Sequence, residues 1–196
     1  MRPAPLLGAA SVLALAWAVL PASGLPPFTG HMLGHVLVVA VAAPLLALAV
    51  AGGRLDPVPR APRLLGAFVA SMLELVAVWA WHAPALHHAA RHATGAFVAE
   101  QATFLGTGFL LWIAAIGGGP ALREERALQG IGGLLFTSMH MTLLGALLGL
   151  AERPLYGHGT VLDQQVGGAL MLLVGGASYL LGAVGLVARL LRPVAP

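Results

Sequence analysis

Apolar residues run along this chain in long, nearly unbroken stretches separated by short polar breaks. The pattern has neither the alternation of strands nor the one-sided stripe of a soluble helix. Stretches near 6–22, 31–51, 63–82, 96–116, 128–150 and 166–188 each approach the roughly 20 residues that a helix needs to cross about 30 Å of hydrocarbon. The pattern predicts an all-α fold, a polytopic transmembrane bundle of about six helices. Runs such as LLVGGASYLLGAVGLVARLL lack the two-residue period of a membrane barrel. The breaks near 52–62, 83–95, 117–127 and 151–165 are too short to hold a further folded unit, so 1–196 reads as a single bundle domain. The first stretch, MRPAPLLGAASVLALAWAVLPASG, also has the basic start and small-residue end of a signal peptide, but it is expected to be retained as a helix.

Composition agrees with the pattern. The chain is 59% hydrophobic and 9% charged, with a mean hydropathy of +0.89, where soluble domains carry about 25% charged residues. Cysteine is absent, which excludes disulfides and thiolate metal sites. All ten basic residues are arginine, a usage that points to GC-rich bacterial coding. They are dispersed without interleaved aromatics, so the basic pI is no nucleic-acid footprint. Arg2, Arg54, Arg60, Arg63, Arg123, Arg126, Arg189 and Arg192 fall on one side of a six-helix zigzag, with Arg91 and Arg153 on the other. Basic residues in short loops are retained in the cytoplasm. Both termini are therefore expected inside.

On that map the histidines gather at the outer face. His31 and His35 open the second helix and His82 closes the third. His87, His88, His92 and His158 lie in outer loops, where they read as solvated, and His140 alone is deep. Glu74 falls roughly 12 Å below His82, at about the depth of His140, and the two are expected to pair. An acidic group at mid-membrane costs about 2.5–3.5 kcal/mol on insertion scales, so it faces the bundle interior and is a functional candidate.

Methionines accompany the shallowest and deepest imidazoles: Met32 beside His31, and Met139 and Met141 around His140. Thioether with neutral imidazole and no thiolate suits Cu(I) among the biological metals. His31 and His35, at i and i+4, share one helical face and could chelate one ion. The metal candidates are thus His31, His35, His82, His140, Met32, Met139 and Met141, with copper as the ion. Filler methionines and interfacial histidines remain the plain alternative. A copper transporter running past His35, Glu74 and His140, or a b-type haem held between His35 and His140, is also open. In the last outer loop, AERPLYGHGTVLDQQVGG, Asp163 is placed to cap the sixth helix, with Gln164 in its first turn. There is no phosphate loop, nucleophile triad or HExxH, and nothing suggests an enzyme.

The order HMLGH with APLLAL, WHAPAL, AEQATFLGTGFLLW, LLGALLGLAERPLY and DQQVGGALM resembles the cytochrome c oxidase assembly factors of the CtaG type, over about residues 30–185. The resemblance implies a plasma-membrane protein that helps mature a haem-copper oxidase by supplying copper, with an oxidase subunit and the lipid bilayer as its partners. It carries family positions onto His35, His82, Glu100, Tyr156, Asp163 and Gln164. One departure is Gln101, which stands where the family usually has a histidine directly after the glutamate; another is the abbreviated N-terminal part, since family members commonly have seven spans.

Overall fold

A computed structural model describes residues 1–61, 66–119, 122–157 and 159–191; Arg63, His158 and Arg192 lie outside the described residues, as does the side chain of Arg123. Among the described residues every regular element is helical. Five helices are long and apolar enough to cross a membrane: α1 (Pro3–Ala22), α2 (Pro27–Val50), α5 (Thr94–Ile116), α6 (Glu124–Gly149) and α7 (Val161–Leu190). Helices α3 (Ala67–Trp81) and α4 (Pro84–His92) form a sixth, broken unit bent by 74°. The break has a local cause. Pro84 disfavours helical backbone at Ala83, whose ψ of 135° is extended, and restarts the helix as its first residue. The expected loop at 83–95 is therefore largely a helix, and the second and sixth spans begin several residues earlier than their apolar patterns suggest.

Helix α6 lies at the centre, packed against α3, α5 and α7, while α2 packs against α5 and the first half of α7. Helix α1 packs chiefly against α2 and is otherwise peripheral. Wide turns interrupt α1 at Leu15–Val19, α2 at Leu37–Ala42 and α7 at Met171–Gly176. In α2 the wide turn immediately precedes Pro44, which has no N–H to return to the preceding turn. Close helix approach depends on small residues. A Cβ on Gly168 would stand 2.5 Å from Gly149 N and 2.7 Å from Gly145 O, so the α6 and α7 backbones touch there.

Loops alternate between two ends as the zigzag requires. At one end Asp56, 1% exposed, accepts from the amides of Gly52 (2.7 Å), Val58 (2.9 Å) and Gly118 (2.8 Å), tying the turn after α2 to the turn after α5. Gly118 has φ +84°, a conformation that favours glycine. The other end carries the histidines. There Tyr156 donates to the carbonyl of His82 at 2.9 Å, and Asp163 reaches the start of α2.

Candidate metal centre

The histidine end is built from four helix termini that must satisfy one another's backbone. Helix α2 starts at Pro27 without a cap of its own. Its first free amides, Phe28 N and Thr29 N, donate to the two carboxylate oxygens of Asp163 at 3.0 and 2.8 Å, and the Thr29 hydroxyl donates at 2.6 Å. Asp163 therefore caps the second span, not its own helix. Thr160 caps α7, accepting from Asp163 N at 3.1 Å. Gln164 closes the neighbouring turn, accepting from Leu155 N at 2.8 Å and donating to Leu148 O at 3.2 Å. Tyr156 lies across this knot, its ring stacked on Phe28 at 4.7 Å and 4.5 Å from the His87 ring. Burial pushes its phenol up to about 12.

Inside the knot four imidazoles converge. His31 and His35 descend one face of α2, and the His82 ring from the end of α3 lies against both, 5.7 Å from His31 and 5.2 Å from His35 between centroids. His87 on α4 packs edge-on to His31 at 4.7 Å. All four are buried. Phe104 from α5 floors the group, 4.2 Å from His35. His140 on α6 is buried and within electrostatic reach of His35. His31 Nε2 and both ring nitrogens of His35 and of His140 are buried without a hydrogen-bond partner in the protein. Such atoms are costly in an apolar interior unless a water, a ligand or an ion meets them.

The tautomer of His82 is set by its neighbour. His82 Nδ1 lies 2.6 Å from Val78 O, and a carbonyl only accepts, so this nitrogen carries the proton. In the neutral ring Nε2 then presents a lone pair, and it faces Met32 Sδ at 3.4 Å. Two lone pairs meet there, with no hydrogen between them. Met32 is fully buried in the core.

Glu100 begins a second polar group beside the first. It is fully buried on α5, ion-paired through Oε2 to Arg91 and hydrogen-bonded by Gln101 Nε2 at 3.1 Å, while Oε1 has no hydrogen-bond partner in the protein. Gln101 in turn accepts from the Trp17 indole at 2.8 Å, which fastens α1 to α5. A cleft of about 470 Å³ between α1, α2 and the α4–α5 corner opens onto this edge, lined by Trp17, Leu20, His31, Arg91, Phe97 and Gln101 among others.

The remaining candidates fall elsewhere. Glu74 is buried, but its partner is Tyr179, which donates to Oε1 and also lies 3.2 Å from Val39 O; the expected Glu74–His140 pair is not formed. Met139 is 69% exposed on the lipid-facing side of α6, one 100° step from the inward His140, and is no ligand here. Met141 is fully buried in the apolar core. His88 and His92 stack on each other at 4.0 Å on the outside of α4, whereas His87, read as a solvated loop residue, faces inward. The signal for His87 was the spacing in PALHHAARH, which puts His87 and Ala90 on one helical face and His88 and His92 on another.

The sequence model of the cytochrome c oxidase caa3 assembly factor family matches residues 5–193, nearly the whole described chain. The protein belongs to that family. No curated protein and no solved structure matches the chain. As a caa3 assembly factor the chain has its function in maturation of the oxidase, and its histidine end offers buried imidazole nitrogens without a hydrogen-bond partner in the protein and a buried thioether, beside an open cleft.

Proposed function

We propose that this assembly factor holds Cu(I) as cargo between Met32, His35 and His82 at the non-cytoplasmic face and passes it to an oxidase subunit. The observation that carries this reading is the contact of Met32 Sδ with His82 Nε2 at 3.4 Å, two lone pairs facing each other with the unpartnered nitrogens of His35 beside them. One thioether and two imidazoles without thiolate form a soft, neutral donor set of the kind that favours Cu(I) over harder cations. The Val78 carbonyl, by fixing the His82 tautomer, plays the orienting part that backbone acceptors play behind metal-bound histidines. His140 on α6 is a further buried imidazole within electrostatic reach of His35. The arginine distribution supports the outward placement of this end.

Copper here is cargo that is handed on. The test is titration of the detergent-purified protein with Cu(I) against a chromophoric chelator. Stoichiometric binding that falls at least about tenfold in Met32→Leu and in His82→Ala supports the reading. Unchanged affinity in both variants overturns it. In cells, deletion of the gene lowers oxidase activity and added copper restores part of it; full oxidase activity in the deletion strain contradicts the assembly role.

A further inference from the structure

Above the Met32–His82 contact lies a donor group of different character. His31 from α2, His87 from α4 and Glu100 from α5 each place one ligand atom within 4.8 Å of the others, and all three residues are buried. They come from three separate elements, so no single helix repeat generates the cluster. Glu100 Oε1 and His31 Nε2 have no hydrogen-bond partner in the protein. We infer that His31, His87 and Glu100 form a second metal station, taking a divalent first-row cation, reached through the outer cleft and held closed by Arg91.

The inference rests on the metal-handling reading of this end of the bundle, but on different ligands. Two imidazoles and a carboxylate are borderline-to-hard donors that suit a divalent ion, where the thioether set below suits a monovalent soft one. The carboxylate is the decisive difference. A buried carboxylate needs a counter-charge, and Arg91 supplies it through Glu100 Oε2. The Arg91 side chain is 28% exposed, lines the cleft and lies over the Phe97 ring at 5.5 Å from guanidinium carbon to centroid. It therefore has both open space to withdraw into and an aromatic face to rest on. A divalent ion entering from the cleft replaces the guanidinium as the counter-charge of Glu100. Arg91 thereby competes with the ion and keeps the station closed when none is present. Gln101 holds the same oxygen as Arg91 and leaves Oε1 for the metal.

The test uses Co(II) alone as the probe, added to the full-length apoprotein in detergent and followed by its visible ligand-field absorption. The wild type binds stoichiometrically. Glu100→Gln and His87→Ala lose the Co(II) signal while keeping wild-type Cu(I) affinity, which also shows that they remain folded. Arg91→Met binds Co(II) at least about tenfold more tightly, a gain that misfolding does not produce. Met32→Leu loses Cu(I) and keeps Co(II). Failure of the wild type and of Arg91→Met to bind Co(II), retention of the signal in Glu100→Gln, or an Arg91→Met affinity no tighter than wild type each overturns the inference. So does joint loss of both metals in His87→Ala, which would make the cluster one site. Co(II) binding as described with no Cu(I) binding by any form would leave this station standing and refute the lower one.

Discussion

Asp163 makes an assignment that a mutation series can break. Its carboxylate receives three hydrogen bonds from the first turn of α2, at 2.6–3.0 Å, and is 5% exposed. It also stands at the positive end of the α2 dipole, so the charge is stabilised there. Hydrogen bonds to a charged group contribute about 1.5–3 kcal/mol each, and removing the acceptor leaves two buried amides unpaired, while the Thr29 hydroxyl retains the Asp163 backbone carbonyl at 3.3 Å. Asp163→Ala is therefore expected to cost about 3 kcal/mol or more. Asp163→Asn, which keeps one acceptor oxygen and loses the charge, costs about half of that. Thr160→Ala removes the ordinary cap of α7 and costs about 1 kcal/mol. Equilibrium unfolding in mixed micelles, followed by tryptophan fluorescence, ranks the three. The cross-helix cap also fixes the start of α2, which carries His31 and Met32, so Asp163→Ala weakens Cu(I) binding as well. A Thr160→Ala cost equal to or above that of Asp163→Ala refutes the assignment, because Asp163 would then be serving only its own helix.

Other expectations follow from single contacts. Gly168→Ala forces α6 and α7 apart and costs about 1–3 kcal/mol by the same unfolding assay, since both clashing neighbours are backbone. Tyr179→Phe and Glu74→Gln, compared in a double-mutant cycle, show a coupling of about 0.6–1.7 kcal/mol from the hydrogen bond between them. Because the folded state holds the Tyr156 phenol up to about 12 against an ordinary value of 10.0, its contribution is complete below pH 10 and is lost as pH rises toward 12; Tyr156→Phe removes this part of the alkaline loss of stability. Protein purified from membranes shows no Soret band, and its presence would favour haem between His35 and His140.

Much of the architecture could be read from hydropathy, because spanning helices must satisfy their own backbone and so are written as continuous apolar segments. What could not be read depends on contacts across the chain. Asp163 sits three residues into a helix-capping sequence, and only the approach of Phe28 and Thr29, more than 130 residues earlier, redirects its carboxylate. Met139 and Met141 look equivalent around His140, yet the helix turns the first to lipid and the second to the core. Glu74 has the depth to meet His140, but Tyr179 supplies a hydroxyl from α7, and nothing in local spacing announces that. His87 is the instructive case. Its helical spacing was present in the sequence, but burial required the 74° bend at Pro84 to fold α4 back over the bundle end.

The central claim is that a thioether and imidazoles meet at one copper ion beneath the histidine end. X-ray absorption at the copper edge of the Cu(I)-loaded protein tests it most directly. Mixed sulfur and imidazole scattering in the wild type, with the sulfur shell lost in Met32→Leu and the imidazole shell reduced in His82→Ala, is the predicted result. A spectrum with no sulfur in the wild type, or one whose sulfur persists in Met32→Leu, contradicts the account.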